Sequence, residues 1–482
     1  MHYVLYIVAF LEWFTTLSVE IMSIRNSVAI IGSNAIATSI ILGIILLALS
    51  YGYYQWGIYA AKNSSAAIKK RIYLNLLLAS IFYTFVSFPF ENALLEKLLS
   101  YDLWYFLPIF IVVTLLFFLP VYLASQTIPL ISELINDEDK AIVIGKLLFF
   151  STIGSFMGSV ATSLLFFPTI WVERSIVVNG IILAVLAGIM IYQFDKKLIT
   201  PKKIIFHGLY VLLLVSLLFV DYKKFLNPNI IYAASTEYND IMVFDNGSTK
   251  LFMMNGSHSS GLDVATGRSY FAYIQEVTRI IENEKPKKIL VIGAAGFSLP
   301  QDIAKKDFVT KIDVCDIDGS LDTIAETYFL GEKLHPKITF YKESARYFIN
   351  KMKKKGETYD FIFLDAYSGK LSVPSELLTE DFFTGIQGIS SGTIAMNLIL
   401  DSEWQSNFYK KLSNTLNASF ENIYLSRVNK GNTSYFDNFL AINKWMDGYQ
   451  HVQTTEWLGT YTDNLHTLER DKYNLFYSQK TN

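Results

Sequence analysis

Seven long apolar segments fill the first half of this chain of 482 residues. A helix needs roughly 18 apolar residues to cross the hydrocarbon core of a bilayer, which is about 30 Å thick. The segments therefore predict a multi-span α-helical membrane domain of about seven helices over residues 1–226. The predicted spans run approximately from Tyr3 to Met22, Ala35 to Ile58, Ile72 to Phe90, Leu103 to Leu123, Leu147 to Trp171, Ile176 to Phe194 and Ile204 to Val220.

The distribution of charge divides the chain in the same way. Charged residues are sparse before Asp221 and frequent after it, and the whole chain is 52% hydrophobic but only 17% charged. Soluble proteins are about 25% charged, so the sequence predicts two parts in two different solvents. The first apolar segment lacks a basic leader and a small-residue cleavage site, and we expect a retained span. The lipid bilayer is thus a predicted partner, and the predicted location is a multi-pass position in the cell membrane.

Composition excludes several kinds of site and partner. A net charge of −2 offers no basic face for a nucleic-acid partner. The single cysteine, Cys315, excludes an intrachain disulfide and a Cys-rich zinc site. No metal site is predicted, because the sequence contains no metal-binding His pair or zinc motif.

Two features of the membrane half have alternative interpretations. Glu20 lies near the end of the first span, where an ionisable side chain is a functional candidate; alternatively it pairs with Arg25 or extends to the headgroups. In the fifth span Gly154 and Gly158 recur at helical spacing, each followed by a serine. Small residues let neighbouring helices approach closely, so packing is favoured over a transport role.

The basic residues of the membrane half predict an orientation. One cluster follows the second span and another follows the sixth, so both lie on the side of the N-terminus; they are Lys62, Lys69, Lys70, Arg71, Lys196, Lys197, Lys202 and Lys203. The positive-inside rule makes that side cytoplasmic. With seven spans, the C-terminal part would emerge on the extracytoplasmic face, where a cytosolic nucleotide co-substrate is absent. Either one span is miscounted, the rule is overridden, or the C-terminal part does not use such a co-substrate.

A small β-hairpin subdomain is predicted over residues 227–285. Asp240 to Phe244 and Lys250 to Met254 are strand-like segments, and Asp245-Asn246-Gly247 between them is a hairpin signal. The following residues, from about Arg268 to Glu282, have the apolar period of a helix.

The sequence of residues 286–482 predicts an α/β doubly wound, Rossmann-like domain of the methyltransferase type. Apolar strands alternate with helices, which is typical of a largely parallel sheet. The predicted strands are Lys288 to Ile292, Lys311 to Cys315, Ile338 to Tyr341 and Phe361 to Leu364. Ligands bind outside the carboxyl ends of strands in such sheets.

Three residues follow these strands directly and are candidate ligand contacts. Gly293 opens a small-residue turn that ends at Gly296, which would let backbone amides approach a ligand closely. Asp316 follows the next strand, and the number of residues between Gly293 and Asp316 is typical of an acidic residue that binds ribose hydroxyls. Asp365 follows the fourth. The alternative interpretation of both carboxylates is a solvated cap at a strand end.

At this point the chain resembles the spermidine synthase family of aminopropyltransferases, specifically its members with an N-terminal multi-span domain. The resemblance covers roughly residues 236–400. It rests on Tyr238-Asn239-Asp240-Ile241, Met254-Asn255-Gly256, Lys288 to Ser298, Asp316-Ile317-Asp318, Tyr359-Asp360-Phe361, Asp365-Ala366-Tyr367-Ser368-Gly369 and Leu377 to Phe383.

The resemblance implies an activity and roles for individual residues. The family transfers an aminopropyl group from decarboxylated S-adenosylmethionine, a co-substrate rather than a tightly bound cofactor, to a small amine. Asp365 would be the catalytic aspartate, Asp316 the ribose ligand with Asp318 beside it, and Tyr238 with Asn239 part of the acceptor wall. Family members are commonly dimers, so a homodimer is also implied.

The departures from the family pattern predict an altered amine site. Gly296 stands where the family has an aspartate for the donor's amine, and Ser368 replaces a second aspartate after the catalytic one. Ser344 replaces the aspartate that reads the adenine amino group, with Glu343 as a possible substitute. Tyr273, followed by Ile274, stands where the family has a tyrosine-histidine pair. We therefore expect weaker binding of a dicationic polyamine by the usual geometry.

His258 is one further candidate acid or base beside the acceptor wall.

Three hypotheses about function follow. The first is a membrane-bound aminopropyltransferase with Asp365 as the base. The second is the same fold acting with S-adenosylmethionine, or its decarboxylated form, on another acceptor. The third is a non-catalytic membrane sensor or transporter, because fold alone does not fix function.

Overall fold

The structure is a computed structural model. It describes residues 2–31, 35–99, 101, 106–135, 139–194, 201–220, 227–367, 373–401, 403–428, 436–453, 456–463, 468 and 471. The chain forms two compact units. The first contains Met1–Ile30, Asn34–Asp221 and Ser235–Glu237, and the second contains Ile31–Ser33, Tyr222–Ala234 and Tyr238–Asn482.

All the regular secondary structure in the described part of the first unit is helical. Its helices are α1 (His2–Ile31), α2 (Ala35–Lys62), α3 (Ser65–Phe82), α4 (Phe88–Leu99), α5 (Leu107–Ala124), α6 (Thr127–Leu134), α7 (Lys140–Ala161), α8 (Phe167–Phe194) and α9 (Pro201–Leu217). Single π-helical turns join α3 to α4 and α7 to α8. Such turns add one residue and locally widen a helix.

By length and apolar composition, five segments of the described residues can cross a membrane. They are Tyr3–Ser27, Ala37–Lys62, Ser65–Leu95, Leu107–Leu134 and Lys140–Tyr192. The predicted number was seven, and the difference has two sources. The fifth and sixth predicted spans form one segment of 53 residues, and the apolar part of α9, Ile204–Leu217, is shorter than a typical span. The predicted start of the fourth span, Leu103, lies outside the described residues.

The segment of 53 residues does not run straight. The hydroxyls of Ser18 and Thr162 are 2.5 Å apart, and Asn179 donates a hydrogen bond to the same Ser18 hydroxyl at 2.8 Å. Thr162 and Asn179 would be roughly 25 Å apart along a straight helix. The chain reverses between them at Trp171, which has φ 63° and ψ 170°. The two arms are therefore antiparallel and correspond to the fifth and sixth predicted spans.

Close helix packing explains the small residues of the fifth predicted span. A Cβ atom on Gly154 would lie 2.2 Å from the carbonyl oxygen of Phe10, and one on Gly158 would lie 2.1 Å from that of Phe14. Thus α7 packs directly on the backbone of α1, as the packing interpretation predicted. Glu20 and Arg25 are both buried in this unit, and the role of Glu20 stays a prediction.

The second unit begins with a sheet of four strands in the order β1 (Ile230–Ser235), β2 (Asp240–Asp245), β3 (Thr249–Met254) and β4 (Ser257–Asp263). The predicted hairpin is its centre, because β2 pairs antiparallel with β3 around the Asp245-Asn246-Gly247 turn. The helix that follows, α10, spans Ala272–Glu284. Its predicted start at Arg268 is wrong by four residues, because residues 268–271 form the turn and cap that precede it.

A sheet of eight strands forms the rest of the second unit. Its strands are β5 (Lys288–Ile292), β6 (Lys311–Asp316), β7 (Ile338–Lys342), β8 (Tyr359–Leu364), β9 (Ser390–Asp401), β10 (Tyr424–Arg427), β11 (Phe436–Ile442) and β12 (Gln450–His451), in the spatial order β12-β10-β11-β9-β8-β5-β6-β7. The pairs from β9 to β7 are parallel, and β11, β10 and β12 continue the sheet antiparallel.

This is the predicted doubly wound, methyltransferase-type fold. The helices of the second unit after α10 are α11 (Ser298–Ala304), α12 (Leu321–Ile324), α13 (Ala345–Lys355), α14 (Glu380–Gln387) and α15 (Asn407–Ser419). One extensive apolar core packs α13, α14 and α15 against the sheet around Phe348, Phe383 and Leu412. The strand order reverses between β5 and β8, which is where ligands bind in such sheets.

Candidate active site

Three strand ends meet at the point where the strand order reverses. Ile292, the last residue of β5, pairs with Cys315 on one side and with Leu364 on the other. The N–H of Gly293 donates to the carbonyl oxygen of Cys315 at 2.9 Å, and the N–H of Asp365 donates to that of Ile292 at 2.8 Å. The structure therefore brings Gly293, Asp316 and Asp365 together at one edge of the sheet.

Gly293 occupies a position that no other residue fits without strain. Its φ is +101°, in the region that favours glycine. A Cβ atom at this position would also lie 2.3 Å from the carbonyl oxygen of Asp365. The absence of a side chain thus permits the close approach of the first strand end to the loop that carries Asp365.

The carboxylate of Asp316 is fixed by backbone amides. Its Oδ2 accepts a hydrogen bond from the N–H of Ala294 at 2.8 Å, and its Oδ1 accepts one from the N–H of Asp318 at 3.0 Å. Burial raises the pKa of Asp316 to about 6, and these two hydrogen bonds oppose the rise. A carboxylate has about four acceptor sites, so Asp316 retains sites for ligand hydroxyls.

Asp318 joins the smaller sheet to the larger one. Its Oδ2 accepts a hydrogen bond from the Asn239 amide at 2.9 Å, and its Oδ1 accepts one from the Ser320 hydroxyl at 2.6 Å. Asn239 in turn accepts a hydrogen bond from the side chain of Asn255 at 2.9 Å. The Asn-Asp pair is buried, which gives both residues a structural role whatever they contribute to a ligand.

Both oxygens of Asp365 accept hydrogen bonds from neutral side chains. Asn397 Nδ2 donates to Oδ1 at 2.8 Å, and the Tyr273 hydroxyl donates to Oδ2 at 3.1 Å. Burial raises the pKa of Asp365 to about 6, and these two hydrogen bonds oppose the rise. Above that pH the group is a carboxylate without a counter-charge in these contacts, and such a group can accept a proton from a bound amine.

Asn397 is the member of this site that the sequence did not identify. It lies on β9, is 4% exposed, and its side-chain carbonyl oxygen has no hydrogen-bond partner among the described residues. A buried acceptor of this kind is unfavourable unless a ligand or water donates to it. The available signal was one polar residue within the apolar strand sequence from Ile394 to Leu400.

The comparisons with known proteins concern the second unit. A sequence model of the spermine/spermidine synthase domain matches residues 269–417. This part of the chain is therefore similar to a spermidine synthase domain. A polyamine aminopropyltransferase of Vibrio vulnificus is 28% identical over 208 residues, which are 41% of this chain and 68% of that protein. Spermidine synthase 1 of Pisum sativum is 27% identical over 163 residues, which are 33% of this chain and 46% of that protein.

Two solved structures also align with half of this chain. A probable spermidine synthase from Corynebacterium glutamicum has 15% sequence identity and a TM-score of 0.41, and it matches 50% of this chain and 98% of its own. The spermidine synthase from Thermotoga maritima has 16% identity and a TM-score of 0.36, with 50% and 84% covered. The chain spans about two thirds of the bacterial relative and about half of the plant relatives.

Two candidate adenine contacts of the second unit have other partners. Glu343 accepts a hydrogen bond from Lys351 Nζ at 2.7 Å. Ser344 caps the N-terminus of α13 by accepting from the N–H of Tyr347. Both residues follow β7, beside the end of β6, so they lie near Asp316, and their role toward adenine stays a prediction.

Gly296 has no space for a side chain without local rearrangement. Its N–H donates to the Ser260 hydroxyl at 3.1 Å. A Cβ atom on Gly296 would lie 2.6 Å from the ring of Phe329. The ring fills the space where a side chain would begin, and the altered amine site stays a prediction.

The remaining candidates differ in how closely the structure ties them to Asp365. The Tyr367 hydroxyl donates to the carbonyl oxygen of Asn397 at 2.9 Å and accepts from the N–H of Ile399 at 3.0 Å, which fixes the loop after β8 to β9. Tyr238 is 40% exposed, and His258 is exposed on β4 opposite Met253. Their roles stay predictions. Ser368 lies outside the described residues.

Proposed function

We propose that the second unit transfers an aminopropyl group from decarboxylated S-adenosylmethionine to an amine, with Asp365 as the general base. The observation that carries this proposal is the buried carboxyl of Asp365, held by Asn397 and Tyr273 at the end of β8. The similarity to polyamine aminopropyltransferases and spermidine synthases supports the reaction class.

The chemistry is a displacement at carbon. The nitrogen lone pair of the acceptor attacks the carbon bound to the sulfonium, the new N–C bond forms, and the C–S bond breaks. The sulfur leaves as a neutral thioether with the bonding electron pair. The acceptor nitrogen loses a proton to the Asp365 carboxylate, which is a suitable base because its pKa of about 6 lies near the working pH.

The side chains around Asp365 suit a bound amine. The unpartnered side-chain oxygen of Asn397 is an acceptor for an amine N–H. The nitrogen of the same side chain donates to Asp365 and holds it in place. Asp316 is the proposed ribose ligand, since its carboxylate is fixed but still has free acceptor sites. Reactants held by such fixed groups react faster, because the entropy cost of orienting them is met on binding.

A second candidate function is the same transfer to an acceptor that is not a dicationic polyamine. It is favoured by Ile274, a buried apolar residue that follows Tyr273 where the family has a histidine. A site that lacks this polar group is less suited to a second ammonium group of the acceptor. We also propose that the first unit, with its long apolar helices, holds the enzyme in a membrane as a multi-pass protein.

An acceptor survey tests the proposal. Purified full-length protein is incubated with decarboxylated S-adenosylmethionine and single amines, namely 1,4-diaminobutane, a monoamine and an aminolipid, and products are identified by mass spectrometry. A gain of one aminopropyl unit by any acceptor supports the transfer, and the preferred acceptor distinguishes the two candidates. No product with any amine, and no binding of the nucleoside at millimolar concentration, would indicate a non-catalytic protein.

A further inference from the structure

The first unit contains a buried acidic group without a hydrogen-bond partner among the described residues. Glu12 lies in α1, is 1% exposed, and neither of its carboxyl oxygens accepts a hydrogen bond from a described residue. An ionised carboxylate in such a place is strongly unfavourable unless a cation neutralises it. Either the group stays protonated or something positively charged binds beside it.

The neighbour of Glu12 is an amide with an unused acceptor, and the helix that this amide contacts carries a second one. The Gln126 side chain lies beside the Glu12 carboxyl, although the pair lacks the geometry of a hydrogen bond. Gln126 Nε2 donates to the carbonyl oxygen of Ile72 at 3.2 Å, and its Oε1 is buried without a partner. One turn further along α3, Asn75 is completely buried, and its amide also has no partner among the described residues.

Aromatic side chains complete this set. Tyr53 and Tyr83 lie within electrostatic range of the Glu12 carboxyl. The hydroxyl of Tyr83 is buried and unpartnered among the described residues, and the ring of Tyr53 stacks on Trp13 with 6.1 Å between centroids. Asn75 and Tyr83 are eight residues apart on one continuous helical stretch, so they share a face. The Glu12 cluster is defined by Glu12, Tyr53, Asn75, Tyr83 and Gln126.

We propose that the Glu12 cluster binds the ammonium group of an aliphatic amine. An ammonium group has three donors and no acceptor, which matches the unpartnered oxygens of Glu12, Asn75 and Gln126. Its charge balances that of Glu12, and aromatic rings attract cations. A divalent metal is a poorer match, because no group of three His, Cys, Asp or Glu side chains occurs among the described residues.

This site is independent of the proposed transferase. All five residues of the Glu12 cluster belong to the first unit, and none takes part in the proposed chemistry at Asp365. If both proposals hold, the chain binds amines in each of its two units. The two sites can be separated because Glu12 and Asp365 can be changed one at a time.

Calorimetric titration with 1,4-diaminobutane tests the proposal. The protein is the full chain in lipid nanodiscs, and Asp365→Asn is the starting variant, so that the second unit contributes little binding. We expect one equivalent of diamine to bind, and we expect added Glu12→Gln to weaken this binding by about 30-fold or more, since a buried ion pair loses one partner. Glu133→Gln, at a half-exposed carboxylate of the first unit that pairs with Lys140, is the control and should change the affinity less than about two-fold.

Three binding results would overturn the proposal. The first is equal affinity for the diamine with and without Glu12→Gln, and the second is no binding by the Asp365→Asn protein at millimolar diamine. The third is binding of sodium ions that requires Glu12 while the diamine does not bind. Thermal unfolding gives a check on folding, because Glu12→Gln keeps the side-chain volume and removes an unpartnered carboxyl. An unfolding temperature lowered without amine would show that Glu12 is paired within the protein, and would also overturn the proposal.

Discussion

The carboxyl group of Asp365 connects the sequence to the chemistry at the scale of single residues. Its position after a predicted strand was readable, as were those of Gly293 and Asp316, because strand ends follow from apolar patterns. Its two hydrogen-bond partners were not readable in the same way. Tyr273 lies 92 residues before it and Asn397 lies 32 residues after it, and only the folded sheet shows which polar residues meet.

The ionisation of Asp365 should set the acid side of the pH profile. Burial raises its pKa to about 6, and the carboxylate is the form that accepts a proton. The rate should therefore fall as the pH decreases through about 6. Asp365→Asn should lower kcat/KM by about 100-fold or more, in the range typical of a lost general base. Initial rates of thioether release between pH 5 and 9 measure both effects, and a profile without an acid limb would contradict this role.

Asn397→Leu should move the same acid limb toward higher pH. The hydrogen bond from Asn397 stabilises the ionised form of Asp365 and so opposes the rise of its pKa. Loss of a hydrogen bond to a charged group is worth about 1.4 kcal/mol or more, which corresponds to a shift of about one pH unit. Tyr273→Phe is the matched variant on the other oxygen. An unchanged pKa in both variants would show that these contacts do not control Asp365.

Gly293→Ala should destabilise the second unit by more than about 2 kcal/mol, because it combines a left-handed backbone with a steric clash. The Cβ atom would lie 2.3 Å from the carbonyl oxygen of Asp365. Gly267→Ala is the control, since Gly267 has φ +67° but no atom within 4 Å of the added Cβ. Its cost should be only about 1 kcal/mol of backbone strain. Equal unfolding temperatures for the two variants would contradict the close approach at Gly293.

Elements were predictable where one local pattern dominates. The strands β5, β6, β7 and β8 appear within two residues of their predicted bounds, because each is a short apolar run beside turn residues. The later strands β9 to β12 were not predicted. The first of these begins with the polar residues Ser390 and Ser391. It is parallel to β8 but antiparallel to β11, and β10 and β12 continue the antiparallel pairing to the end of the sheet. Their pairing depends on contacts that are distant in sequence.

The helical arms that meet at Trp171 show the same limit. The sequence separates them as two apolar segments, whereas the contacts of Ser18 with Thr162 and Asn179 show that they fold back on each other. Hydrophobicity gives the length of a segment, and only packing gives the direction of the next one.

Gly158→Leu should disrupt the contact between α7 and α1. The added side chain would begin 2.1 Å from the carbonyl oxygen of Phe14, so the helices would have to separate. We expect a loss of about 1–3 kcal/mol or more, as for an overpacked core. Gly145→Leu on the same helix is the control, because nothing lies within 4 Å of its Cβ. Thermal unfolding in detergent compares the two, and equal midpoints would contradict direct packing at Gly158.

At the scale of the whole molecule, the sequence predicts the division into an apolar and a charged half but leaves the orientation in conflict. The lysines place the N-terminal side in the cytoplasm by the positive-inside rule, and with the seven predicted spans the C-terminal part would then lie outside it. The proposed co-substrate, however, is a cytosolic nucleoside. The enzymatic proposal requires the second unit to face the cytoplasm. A C-terminal fusion to green fluorescent protein should therefore fluoresce, and a fusion to alkaline phosphatase should be inactive. The opposite pattern would exclude a cytosolic aminopropyltransferase.

The central claim is that this chain transfers an aminopropyl group through Asp365. The most direct measurement is mass spectrometry of both products, the thioether nucleoside and the extended amine, after incubation of the full-length protein with decarboxylated S-adenosylmethionine and its best acceptor. The account predicts that wild-type protein releases the two products in equal amounts and that Asp365→Asn releases about 100-fold less of both. Equal product formation by the two proteins, or thioether release without an extended amine, would contradict it.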